Sequence, residues 1–282
     1  MGWLAVRRPA CPRLSCVPGQ RAETGYRGRN ATSDRALDIL TMFADDQATV
    51  TGPMVAERLG ASRSTAYRYV QSLVTARFLE EAPNGGFRLG MRVLELAQLA
   101  RRTVGLSEVA TPVMEELAEE VGEVVLLTRR TGDLVVCLDR AESRERRVRI
   151  SYERGAVLPI NAGASATVLL AWSDQEEVRE LLNRATLQRF TDATLTDVDA
   201  LVARLDNIRS DGYAIARSEL DVEVIGIAAP IWGPQEGEVV AAVSVAGVVS
   251  RIPRKAERMI VAKVRSAAAR ISEQLAVARA GR

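Results

Sequence analysis

Histidine is absent from the 282 residues. That excludes Ser-His-Asp and Cys-His catalysis, histidine zinc sites and a histidine general base. The three cysteines, Cys11, Cys16 and Cys137, are too few and too scattered for a disulfide framework or a four-cysteine zinc site. Only Lys255 and Lys263 are lysine, against 36 arginines, so a lysine-centred active site has two candidates. No nucleophile–base pair, metal set or cofactor motif stands out, and the chain is expected to be neither an enzyme nor a cofactor carrier. No uncharged apolar run approaches the roughly 18 residues of a membrane span. With 47 % apolar residues, the composition predicts a soluble, cytoplasmic protein. At about 150 residues per domain, the length predicts two domains, each able to bury a core.

The net charge of +2 hides an asymmetry. Residues 1–30 carry six arginines against Glu23, which is +5. Residues 31–105 hold nine basic and eight acidic groups, and residues 106–282 hold 23 and 27. A basic front and an acidic back suit a polyanion bound at the front. The first thirty residues, broken by Pro9, Pro12, Pro18, Gly19, Gly25 and Gly28, predict a tail without an apolar face.

Residues 31–90 predict a helix-turn-helix followed by a hairpin. Ser33 is placed to cap a helix with Ala36, Leu37, Leu40 and Phe43 on one face, ended by Asp45-Asp46. Thr51 and Pro53 open a second helix, closed by Gly60. Ser62 caps a third after a tight turn. In that third helix Ala66, Val70 and Leu73 point inward. The other face offers Arg63, Ser64, Tyr67, Arg68 and Gln71, with Ser62 and Thr65 at the N-terminal end and no carboxylate among them. Hydroxyls and a helix N-terminus grip phosphate, arginine forks onto guanine, and glutamine pairs with adenine. Residues 77–81 and 86–89 predict strands joined by Pro83-Asn84-Gly85-Gly86, so Arg88 would stand on a wing beside the duplex.

A linker helix is predicted over 91–105. Leu89, Val93, Leu96 and Ala100 form a heptad-like stripe that packs either within its own chain or against a second copy. Residues 106–282 predict an amphipathic helix, three strands (the third Val148–Tyr152), several helices, three further strands and a long closing helix. That order suggests an α+β domain on an antiparallel sheet. The small residues Asn161–Ala166 at a helix start would let a ligand approach free amides, which favour a carboxylate. Ser244 places a hydroxyl in an otherwise apolar strand and needs a partner, local backbone or a ligand cavity. Glu219, Asp221 and Glu223 alternate as on one strand face and read as a solvated rim. Cys137 reads as a core thiol, and Trp172 and Trp232 as core or interface residues.

The order of these parts resembles the IclR-type transcriptional regulators from about Ser33 to the C-terminus. The resemblance is carried by Arg35-Ala36-Leu37-Asp38-Ile39-Leu40, Ser64-Thr65-Ala66-Tyr67-Arg68 and Gly86-Phe87-Arg88-Leu89-Gly90. Behind them come Gly155–Pro159, Gly163–Ala171, Gly212-Tyr213-Ala214 and Ile227-Ala228-Ala229-Pro230. It implies a winged helix-turn-helix domain, a linker helix and a GAF-like α/β effector and oligomerisation domain. It also implies a homodimer or tetramer on double-stranded operator DNA, controlled by a small metabolite, often an organic or aromatic acid. By position, the effector cavity would hold Ala164, Ser165, Gly226, Ser244 and Ala246. Where some members carry an acidic pocket residue this chain has Ala216-Arg217, so Arg217 becomes a candidate partner for an effector carboxylate. A metabolite-binding enzyme or sensor domain with an accessory helical module is the alternative reading.

Overall fold

The computed structural model describes residues 31–44, 47–143, 152–233, 235 and 237–280. The expected basic tail and most of the expected strand Val148–Tyr152 lie outside the described residues, whereas the first helix ends at Leu40, short of Phe43 and of the expected end at Asp45-Asp46. The chain divides into two units, the first ending at Thr103 and the second beginning at Val104.

In the first unit, α1 spans Ala31–Leu40, α2 Gly52–Leu59 and α3 Arg63–Thr75. A hairpin of β1 (Leu79–Glu81) and β2 (Phe87–Leu89) follows, then α4 (Met91–Val104). Ile39, Val50, Val55, Ala66, Val70, Leu79 and Phe87 form its core. Three local expectations are corrected. Ser33 does not cap α1: the helix is already formed at Ala31, which leaves Ser33 in its first turn. Thr51 holds the N-cap position of α2 but makes no side-chain cap bond. Residues 77 and 78 are not in the wing strand. Arg77 takes a left-handed φ of 62°, and the Phe78 amide turns back to the Leu73 carbonyl, so pairing starts only at Leu79. Val50 adds a short third rung by exchanging both backbone bonds with Phe87. Gly86 is required there, because at φ 82° a Cβ would lie 2.7 Å from the Val50 carbonyl oxygen. On α4, Leu94, Leu96 and Leu99 are exposed, and Val93 is half-buried.

In the second unit, α5 (Leu106–Val121) precedes β3 (Val124–Thr131), β4 (Leu134–Ala141) and β5 (Val157–Leu158). Then come α6 (Ala164–Ala171), α7 (Gln175–Arg184) and α8 (Val198–Asp211). β6 (Ala214–Arg217), β7 (Val224–Trp232), β8 (Val239–Val248) and α9 (Arg254–Ala280) complete it. The strands form one antiparallel sheet in the order β5-β4-β3-β8-β7-β6. Helices cover both faces. Leu126, Ala216, Ala228 and Ala246 meet α6, α7 and α8 on one side. Val125, Leu127, Ile227 and Val245 meet α5 and α9 on the other. A sheet buried twice must be apolar at consecutive positions, which explains the uninterrupted runs in β3 and β8. Trp172 and Trp232 meet edge to face with ring centroids 5.4 Å apart, both half-buried. No helix among the described residues is long and apolar enough to cross a membrane.

Candidate DNA-reading face and ligand cavity

The N-terminus of α3 is held by hydroxyls. Ser62 Oγ accepts from the Thr65 amide at 3.3 Å and lies 3.0 Å from Ser64 Oγ and 2.9 Å from Thr65 Oγ1. Ala66, Val70 and Leu73 are buried, which fixes the rotation of the helix. Arg63, Ser64, Tyr67 and Arg68 therefore face water, with Gln71 and Thr65 half-buried beside them. Tyr67 is 50 % exposed, yet its ring meets that of Phe87 edge to face at 6.4 Å. It ties the helix to the wing while half of its surface stays in solvent. Arg88 stands on the wing, where its Nε pairs with Glu80 Oε1 at 2.7 Å across the hairpin. Both partners are solvent-exposed, so the pair is weak and the guanidinium can be given up to a phosphate.

The second site is a cleft in the second unit, between the start of α6 and the sheet. It encloses about 420 Å³ of empty space, solvent at its mouth included. The cavity itself has a volume of about 40 Å³. Ala164, Ser165, Gly226, Ser244 and Ala246 all line it, as expected by position. Ser244 finds its partner across the cleft: Ser165 Oγ donates to Ser244 Oγ at 2.9 Å, both side chains buried. Gly226 pairs with Ala246 in the sheet, and a Cβ there would meet that of Ala164 at 3.4 Å. The remaining walls are mostly apolar: Leu126, Leu158, Ala216, Leu220, Val224 and Val245. Tyr152 adds a phenol whose pKa is pushed up to about 12 by burial and then by the Asp221 charge, so it stays protonated.

Arg217 is not in this cleft. Strand alternation sends it to the opposite face from Ala216, where its Nη2 donates to the Ile252 carbonyl at 3.0 Å and pairs with Glu257. Glu219 reverses the opposite expectation. It belongs to no strand, is 7 % exposed and lines the cleft. Its Oε2 accepts from the Gly163 amide at 3.0 Å, and its Oε1 pairs with Arg204 Nη2 at 2.7 Å. The missed signal is Ser218, whose left-handed φ of 60° turns the chain out of β6 and Glu219 inward. Cys137 is fully buried, and burial, then the charge of Asp139, pushes its pKa up to about 11. It is a core thiol, as expected.

Comparison with known proteins finds a match for each of the two units. The description IclR helix-turn-helix domain matches residues 32–83, and bacterial transcriptional regulator IclR C-terminal matches residues 98–273. The chain belongs to the IclR family of transcriptional regulators. It carries the family's helix-turn-helix DNA-binding domain in front of its C-terminal α/β domain. Among curated IclR relatives, the regulator KipR of Bacillus subtilis is 30 % identical over 247 residues, covering 88 % of this chain and 98 % of that protein. The regulator BhcR of Paracoccus denitrificans is 34 % identical over 215 residues, covering 76 % of each. Among solved structures, an IclR regulator from Silicibacter sp. TM1040 superposes with a TM-score of 0.78 at 30 % identity, covering 87 % of this chain and 96 % of its own. An IclR homologue from Microbacterium hydrocarbonoxydans, complexed with 4-hydroxybenzoate, superposes with a TM-score of 0.74 at 32 % identity, covering 86 % and 98 %.

Proposed function

We propose that this IclR-family regulator acts without catalysis, in the cytoplasm, as an operator-binding switch set by a small organic acid. The carrying observation is the outward face of α3, which presents Arg63, Ser64, Tyr67 and Arg68 and no carboxylate. Arg68 and Gln71 read base edges from the major groove. Ser62, Ser64, Thr65 and the helix N-terminus hold phosphate, and Arg88 adds a contact from the wing. The DNA-binding domain's charge is close to zero, so one copy is a weak phosphate binder, and two copies on a two-fold operator supply the rest. The exposed leucines of α4 suit the seam of that dimer or of a larger assembly.

The acid sits in the cleft, its carboxylate toward Ser165, Ser244 and the first amides of α6, its body against Leu126, Leu158 and Val224. The complex of the Microbacterium homologue with 4-hydroxybenzoate supports a ligand of that kind. The relatives named as repressors of the AllR type support repression as the mode. By linkage, an acid that weakens operator binding is itself bound more weakly by the operator complex. The test is a gel-shift titration on the protein's own upstream DNA at several salt concentrations, with and without 4-hydroxybenzoate. A retarded complex that dissolves with salt and shifts with the acid is expected. Indifference to duplex DNA at low ionic strength overturns the reading.

A further inference from the structure

The end of α6 expected to receive an acid already holds one. The first four amides of a helix lack intrahelical acceptors and favour negative charge. Here the Glu219 carboxylate takes the first of them, at Gly163, from inside the cleft. It is fastened from behind by Arg204 of α8, itself mostly buried and also bonded to the Ile215 carbonyl. The loop that carries it is tied down at several points. Ser218 bonds Val224 and Val222, Thr191 Oγ1 donates to the Ser218 carbonyl, and Thr194 Oγ1 donates to the Glu219 carbonyl at 2.6 Å. Leu220 closes over Gly163, where a Cβ would come within 3.0 Å of its Cδ1. The same loop keeps the cleft small. Its 40 Å³ holds a few waters, whereas an apolar cavity that takes benzene is roughly 150 Å³.

We infer that Glu219 is the residue that sets the cleft's choice between acids and neutral ligands, acting as a resident anion against which an incoming carboxylate competes. This rests on the effector reading above. A second carboxylate at the start of α6 meets the first at short range and low dielectric, where like charges repel strongly. An acid is admitted only as Glu219 leaves the Gly163 amide, staying with Arg204, and the loop 218–223 moves with it. A neutral ligand of the same shape meets no such competitor. The loop thereby becomes the element displaced by acids in particular.

The experiment compares the full-length protein with Glu219→Gln by calorimetry, using 4-hydroxybenzoate and its neutral isostere 4-hydroxybenzamide. Glutamine keeps the size and can still accept from Gly163, so the negative charge is removed with little change of shape. The ratio of acid Kd to amide Kd is expected to fall about tenfold or more in the variant. Because Glu219→Gln leaves the buried Arg204 without its partner, the double variant Arg204→Gln, Glu219→Gln is measured beside it and is expected to show the same fall. A ratio unchanged within about twofold, or one that rises, in either folded variant overturns the role of Glu219. If both compounds bind with unchanged ratios, that role alone falls. If neither compound binds any of the proteins, the effector reading falls and this inference with it.

Discussion

On α3 one unbroken run of chain, Ser62–Gln71, supplies the donor face, and Arg63, Ser64, Tyr67 and Arg68 stay in water. The cleft instead draws Leu126, Ser165, Glu219 and Ser244 from four places in the second unit and removes them from water. In the first region the guanidinium and hydroxyl groups Arg63, Ser64 and Arg68 are separate from the buried Ala66, Val70 and Leu73 that hold the fold, because a helix puts them on opposite sides. In the second, packing and cleft wall are the same groups: Ser165 and Ser244 bond to each other and line the cleft, and so does Glu219, paired with Arg204. Substitutions at Arg63, Ser64 and Arg68 should therefore change function alone, and substitutions in the cleft should change function and stability together.

The largest effect that would sharpen this contrast is at Arg68. Arg68→Ala is expected to weaken specific operator binding by roughly 5- to 150-fold, the worth of a forked contact to a base. Its melting temperature should stay that of the parent, since the side chain is exposed. Fluorescence anisotropy on a labelled operator, with a thermal melt alongside, reads both. An unfolded variant, or one with full affinity, breaks the comparison on the α3 side.

A smaller effect is expected at the serine pair. Ser165→Ala takes away the partner of the buried Ser244 hydroxyl and should cost about 1–3 kcal/mol of stability. Ser165→Ala with Ser244→Ala strands nothing and should recover most of that loss, while still weakening acid binding. Chemical denaturation of the two variants measures the difference. Equal stability in single and double variants would mean that the hydroxyl pair adds nothing to the fold.

The smallest effect is at Arg217. Because it lies on the far face of β6 with Glu257 and Ile252, Arg217→Ala should leave acid affinity within about twofold of the parent. It should lower stability by about 1 kcal/mol, as a half-buried pair is lost. Calorimetry with 4-hydroxybenzoate decides it: a large loss of affinity would return Arg217 to the cleft.

The sequence is most legible where structure is local. Ser62, Ala66, Val70 and Leu73 fix α3 by a cap and by helical spacing, with no help from distant residues. The cleft is legible only in part. Ala164, Ser165, Gly226, Ser244 and Ala246 betray themselves as small or polar residues in apolar surroundings. Arg217 and Glu219 are misread because the parity and the end of β6 are both decisive there. Arg217 is placed in the cleft by family position without regard to its strand face, and Glu219 is placed on a solvent rim by continuing the alternation of β6 past its end. The parity of Ala214 and Ala216 on the cleft side already sends Arg217 away. Ser218 then breaks the alternation with a left-handed residue that no turn-forming glycine announces.

By itself the sequence determined the class of fold, the three-helix reading head with its wing, and the antiparallel α+β character of the second half. Caps, turns and hydrophobic period act between near neighbours and need no partner. Only tertiary structure decided which side chains share the cleft, that Ser165 answers Ser244, and that a glutamate rather than an arginine guards the start of α6. Those outcomes depend on which faces of β6, β7 and β8 meet which helix, and on a single strained turn, and such choices are made between residues far apart in the chain.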